Sequence, residues 1–193
     1  MSEVGRVILV RHAESEGNRA QVFASTPAVP LTDLGRTQAR ATAEWIAARH
    51  APEQIVSSPF TRARQTADLM AGVLGLPVAV EEDLRERSYG VLAGHPYTSP
   101  REGYDPAAYW TWRPPGGETL VEVRARTGAV LDRLARASSG REIVVVSHGA
   151  VMMALWHHFT GAWRTNGVVR NAGVVLAEHR GGRWLGAREE TAA

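Results

Sequence analysis

Two stretches of the chain place a histidine directly after an apolar run. Arg11-His12 follows Val7-Ile8-Leu9-Val10, and Ser147-His148-Gly149 follows Ile143-Val144-Val145-Val146. A neutral imidazole is a nucleophile or a proton carrier, and a guanidinium grips oxyanions through a planar fork that stays charged. Two histidines at such places, one of them with an adjacent arginine, make a shared reactive site more plausible than either histidine would alone. Two more stretches add reactive types. Ser57-Ser58-Pro59-Phe60-Thr61-Arg62 brings another arginine, and Leu84-Arg85-Glu86-Arg87-Ser88-Tyr89-Gly90 brings a carboxylate able to carry a proton. Each has a plainer reading when taken alone. A single histidine after a strand is more often packed or at the surface, and Glu86 can simply pair with Arg85 or Arg87.

The elements that must position these residues can be read from the apolar pattern. The two β-branched runs suit strands buried on both faces. Thr32 to Arg49 reads as a helix capped by Thr32, with Leu34, Ala41, Trp45 and Ala48 at near-helical spacing. Gln54 to Ser57 is a short strand. Pro59 suits the first turn of a helix that carries Arg62 and ends at Gly75. Pro77 to Val80 reads as a strand. From Glu118 onward, Leu120, Val123, Thr127, Val130, Leu131 and Leu134 share one helical face. Gly149 to Thr160 is the next helix, and Val174 to Glu178 pairs with Arg183 to Ala187 across the turn signal Gly181-Gly182. Strands alternating with helices predict one domain over residues 1–193. Its fold class is α/β, a three-layer α/β/α sandwich with a mainly parallel sheet and helices on both faces. Ligand sites in such sheets lie at the carboxyl ends of the strands, where His12, His148 and Arg62 all fall.

The regular pattern lapses from Arg85 to Gly117. Five prolines and the aromatics Tyr89, Tyr97, Tyr104, Tyr109, Trp110 and Trp112 stand there. A connection this long inside a compact domain is usually functional, which predicts a short lid insertion over about 88–117. Tyr97, Tyr104, Tyr109, Trp110 and Trp112 suit a leaving group with an apolar or ring-like face, or serve to pack the lid on the body.

Val10-Arg11-His12-Ala13-Glu14-Ser15-Glu16-Gly17-Asn18 resembles the signature of the histidine phosphatase superfamily, which includes the cofactor-dependent phosphoglycerate mutases. The stretch Ser57 to Ala67, the Glu86 stretch, Pro115-Gly116-Gly117-Glu118-Thr119 and Val146-Ser147-His148-Gly149 are similar to its later blocks, in order. The resemblance implies that His12 is a nucleophile forming a phosphohistidine. It implies that Arg11, Arg62 and His148 surround the transferred phosphoryl group, with the helix start at Gly149 adding backbone dipoles of the right sign. It implies that Glu86 is the general acid and then the base, Glu14 being a weaker rival, and that Asn18 offers phosphate a hydrogen bond. Neighbouring guanidiniums would help keep His12 neutral. The arginines would supply the charge, so neither a metal nor a cofactor is required.

Ala13 departs from the pattern, since most relatives carry glycine after the nucleophile. A positive φ there would strain alanine by about 1 kcal/mol; otherwise the methyl only narrows the pocket. The block from Glu86 to Gly94 leans toward the mutases. The short span from Gly94 to Pro114 and its lack of lysine lean the other way, because a leaky lid favours hydrolysis. A phosphatase acting on a small phosphomonoester is therefore expected ahead of a phosphoglycerate mutase. A non-catalytic phospho-ligand binder would have lost His12, Glu86 or an arginine, and none is lost.

Composition fits this reading. Lys+Arg is 22, all of it arginine, and Asp+Glu is 20, so the formal net charge of +2 is too small for a general nucleic-acid binder. Arg124, Arg126, Arg133, Arg136 and Arg141 interleave with Glu122, Asp132 and Glu142, as on an ordinary solvated face. With no cysteine, disulfides and thiolate metal sites are excluded. His157-His158 face apart on a helix and read as surface or core residues, and His50, His95 and His179 have no partner at ligand spacing. No apolar run is long enough for a membrane span, and no signal-peptide pattern opens the sequence, so a cytoplasmic protein acting on a small phosphorylated metabolite is expected, as a monomer or homodimer.

Overall fold

A computed structural model describes residues 4–138, 140–164 and 166–190. Its elements are β1 (Val4–Arg11), α1 (Glu16–Arg19), α2 (Asp33–Ala47), β2 (Gln54–Ser57), α3 (Thr61–Leu74), β3 (Val78–Val80), α4 (Leu120–Ser138), β4 (Glu142–Ser147), α5 (Gly149–Thr160), β5 (Val174–Arg180) and β6 (Arg183–Glu190). The sheet order is β3-β2-β4-β1-β5-β6. β3, β2, β4 and β1 run parallel, while β5 and β6 join antiparallel at one edge. Gly181 and Gly182 both take positive φ (58° and 82°), the conformation a two-residue hairpin turn needs.

The apolar runs divide their side chains by the two-residue period of a strand. Val7, Leu9 and Val145 pack with Val123, Leu131, Val151 and Leu155 from α4 and α5. Ile8, Val10, Val144 and Val146 pack on the other face with Ala43, Ile46, Ala63 and Met70 from α2 and α3. Each fully buried aliphatic side chain contributes roughly 1.5–3 kcal/mol. The two central strands are thereby clamped between helix layers, and the sandwich is the one expected.

Helix boundaries differ in detail. α3 starts at Thr61 with Phe60 as its N-cap, so Pro59 lies outside the helix rather than in its first turn. The Phe60 amide is met by Ser58 Oγ (3.3 Å), which holds Ser58-Pro59-Phe60 as a bend before the helix. Gly75 ends α3 at φ 68°, as expected. Residues 85–117 hold only two 3₁₀ turns, Gly90–Leu92 and Pro106–Ala108. This insertion is pinned to the body by backbone bonds from Phe23 to His95, Gly94 to Phe23 and Tyr97 to Gln21. Among the described residues no helix is long and apolar enough to cross a membrane.

Candidate active site

The parallel register of β1 and β4 pairs Arg11 with Ser147, so the next residues, His12 and His148, leave adjacent strands side by side. The His12 amide donates to the Ser147 carbonyl (2.8 Å), and the two imidazole centroids lie 5.2 Å apart. Both nitrogens of His12 have partners, whereas only one of His148 does. His12 Nδ1 sits 2.8 Å from the Ala13 carbonyl, which fixes the proton there and leaves a lone pair on Nε2. Arg62 Nε donates to that Nε2 at 3.2 Å. His148 Nε2 meets Ser58 Oγ at 2.6 Å, and its Nδ1 is buried with no partner among the described residues.

Both histidines have pKa values well below the usual imidazole range. Burial is the largest cause, followed by the charges of Arg62 and Arg11 for His12 and by Arg62 for His148. Both rings are therefore neutral near pH 7. Arg62 is 1% exposed, and its other nitrogens donate to the carbonyls of Thr26 (3.2 Å) and Ala24 (2.7 Å). Arg11 donates to the Val169 carbonyl (2.7 Å), while its Nε has no partner among the described residues. Burial lowers both guanidinium pKa values, but from so high a start that both stay charged.

These groups line a cleft of about 650 Å³ at the carboxyl edge of the sheet. Arg11, His12, Asn18, Arg62, Glu86 and Gly149 all reach it; His148 lies fully buried beside His12. Glu86 accepts from the Arg87 amide (2.8 Å) and forms no ion pair with Arg85 or Arg87. Gly149 opens α5 where a Cβ would come within 2.8 Å of Val168 and 3.5 Å of the Arg11 guanidinium carbon. The absent side chain makes room for Val168 at the helix start, with Arg11 at ordinary contact distance.

Several predicted residues have other employment. Glu14 accepts from Thr32 Oγ1 (2.7 Å) and is not among the cleft residues, so it holds the start of α2. Asn18 Oδ1 is spent on Ser15 and on Asn171 Nδ2 (3.0 Å), closing the capping box of α1, and only its amide nitrogen remains unbonded among the described residues. Ala13 does not adopt positive φ. Its methyl packs with Leu31, Ala39 and Ala172 instead of narrowing the cleft. Of the insertion aromatics, Tyr89, Tyr97, Tyr104, Tyr109 and Trp112 line the cleft, whereas Trp110 stacks on Trp163 (5.7 Å) outside it. His158 bonds Asp132 (2.8 Å), and His157 packs on Trp163.

Four contributors were not foreseen. Ser58 bonds His148. Thr66 accepts from the Ala13 amide (3.1 Å) and donates to the Arg62 carbonyl (2.7 Å). Asn171 donates to the His12 carbonyl (3.1 Å) from the turn before β5, and nothing in its local sequence marks it. Arg126, read as part of a solvated face, instead reaches the carbonyls of Asp83 (2.6 Å), Arg85 (2.9 Å) and Glu86 (3.3 Å) while ion-paired to Glu118. Glu118 in turn accepts from the Ser88 amide (2.9 Å), which gives the Pro115 to Thr119 block a purpose: it braces the loop carrying Glu86.

Comparison with known proteins agrees with this geometry. The sequence profile of the histidine phosphatase superfamily (branch 1) matches residues 7–189. A metal-independent phosphoserine phosphatase of Arabidopsis thaliana is 31% identical over 95% of this chain and 80% of its own length. A glucosyl-3-phosphoglycerate phosphatase of Mycolicibacterium vanbaalenii is 34% identical over 91% of this chain and 85% of its own. The native structure of a mycobacterial glucosyl-3-phosphoglycerate phosphatase superposes with a TM-score of 0.83, at 28% identity and 98% coverage of both chains. A buried neutral histidine pair ringed by guanidiniums on a three-layer sandwich defines a phosphoryl-transfer class, and the chain belongs to the histidine phosphatase superfamily. Within that class it is a histidine phosphatase hydrolase.

Proposed function

We propose that His12 is the nucleophile and Glu86 the acid and base in hydrolysis of a small phosphomonoester. The observation that carries this reading is the placement of His12 Nδ1 against the Ala13 carbonyl, which assigns the ring proton to Nδ1 and leaves a lone pair on Nε2 beside Arg62. Nε2 attacks phosphorus, the bond from phosphorus to the leaving oxygen breaks, and Glu86 gives that oxygen its proton. The lone pair exchanges the Arg62 N–H for phosphorus in this step, which frees Arg62 Nε to face a phosphoryl oxygen. Water then gives its proton to the Glu86 carboxylate and attacks the phosphohistidine. The N–P bond breaks, phosphate leaves, and His12 returns to its neutral form.

Arg11 and Arg62 carry fixed charge to the buried base of the cleft, where stabilising the equatorial oxygens is most of the catalysis. His148 supplies a neutral donor. Ser58 Oγ accepts from the Phe60 amide, and with its own hydrogen directed at His148 Nε2 the imidazole proton falls on the unpartnered Nδ1. The Asn18 amide nitrogen and the Gly149 end of α5 add further donors. The insertion over residues 88–117 acts as a lid that carries leaving-group contacts. The relatives named for phosphoserine and glucosyl-3-phosphoglycerate support a small phosphorylated substrate.

Rapid quench with a radiolabelled phosphomonoester tests the assignment. The wild type should yield an acid-labile phosphoenzyme, and His12→Ala should yield none. Retention of the label in His12→Ala together with its loss in His148→Ala would transfer the nucleophile role to His148.

A further inference from the structure

We infer that Arg101 is a specificity residue for a second oxyanion, a carboxylate or another phosphate, on the leaving group of the substrate. The inference rests on the phosphatase reading of the cleft. Four guanidiniums line that cleft, those of Arg11, Arg62, Arg87 and Arg101, against the single carboxylate of Glu86. Arginines elsewhere commonly have acidic partners, such as Arg6 with Glu142 and Arg126 with Glu118, but none of these four forms an ion pair among the described residues.

Three of the four are already occupied. Arg11 and Arg62 belong to the phosphoryl group. Arg87 is 5% exposed and donates to the carbonyls of Glu118 and Trp112 (2.6 Å each), so it has little left to offer a ligand. Arg101 differs. It stands in the insertion, the only hydrogen bond of its side chain among the described residues runs from Nη2 to the Tyr97 carbonyl (2.9 Å), and Nε and Nη1 are unbonded. Its guanidinium carbon lies 5.3 Å from the Phe23 ring centre and 5.0 Å from that of Tyr104. Two aromatic faces and one carbonyl thus fix the plane of the fork without neutralising it. A held, unneutralised guanidinium presents the geometry that pairs bidentately with a carboxylate or phosphate.

The test is a matched pair of substrates that differ in one group, 3-phosphoglycerate and glycerol 1-phosphate, with a bisphosphate as third arm. The wild type should favour 3-phosphoglycerate in kcat/KM by about tenfold or more, as one charge-assisted contact predicts. Arg101→Gln should reduce that ratio at least fivefold, mainly through KM, and Arg101→Lys should keep part of it because the charge remains without the fork. Preference for the bisphosphate over 3-phosphoglycerate, lost in the same variant, would make the second group a phosphate. Equal use of charged and uncharged esters by an active wild type, or an unchanged ratio in Arg101→Gln, overturns the inference and leaves the phosphatase reading standing. No turnover and no phosphoenzyme with any ester would defeat both.

Discussion

His12 and His148 are histidines that burial keeps uncharged, and this has consequences for both stability and rate. Their folded pKa values lie well below the unfolded value near 6.5, burial being the main cause. Below about pH 6.5 the unfolded chain therefore binds more protons than the folded one, and stability falls as pH falls. Above that value both states are neutral and these two groups add no slope. Urea denaturation at pH 7.5 and at pH 5 should show the acid loss, and His148→Gln should show a shallower one. The acidic limb of kcat/KM should likewise lie below the ordinary histidine range, because His12 remains a free base there. An acidic limb centred near 6.5 would contradict the environment described for His12. Ala13 illustrates the opposite outcome at this scale. Its unusual identity costs no backbone strain, because its φ is ordinary and its methyl is absorbed by Leu31 and Ala39.

The site depends on braces between elements as much as on the residues in the cleft. The loop with Glu86 belongs to no regular element. Its place is set by Arg126 of α4, whose guanidinium spans three carbonyls, and by Glu118, which holds both Arg126 and the Ser88 amide. Arg126→Met should leave those acceptors and Glu118 without their partner, at a cost of roughly 1–3 kcal/mol in denaturant unfolding. As Arg126 positions Glu86 without touching substrate, kcat should fall about tenfold or more while KM moves little. Arg126→Lys should restore only part, since one ammonium cannot span the same acceptors. A variant that loses stability but keeps its kcat and its pH profile would reduce Arg126 to a structural clamp. Asn171, in the turn before β5, and Thr66 of α3 hold the His12 turn in the same manner.

For the whole molecule the question is how the cleft handles water and charge. Among the described residues no group of three or more His, Asp or Glu side chains is arranged to hold a metal ion. With Arg11 and Arg62 proposed to supply the charge at the phosphoryl group, phosphate release should be the same with and without a chelator, and a chelator-sensitive rate would show that the arginines do not suffice. The insertion between Gly94 and Pro114 is short, and hydrolysis should outrun return of the phosphoryl group to a bound product. With 3-phosphoglycerate, phosphate should accumulate faster than 2-phosphoglycerate, as followed by a coupled assay. The insertion is also the part of the molecule where apolar period and turn signals carried least information. Its aromatics were legible as a group, but their division was not: Trp110 went to Trp163, while Tyr97 and Tyr104 went to the cleft with Arg101 between Tyr104 and Phe23.

Local sequence alone determined the layered sheet, because buried strands and amphipathic helices announce themselves by period. It determined the convergence of His12, His148 and Arg62, because each stands where a strand ends or a helix begins. Contacts between residues far apart in the chain leave no such period. That Arg126 braces the Glu86 loop, that Asn171 reaches back to His12, and that Glu14 turns away to Thr32 were decided only by packing. The tautomer of His12 was decided there too, since a proton follows the carbonyl that burial presents to it and not the residue type.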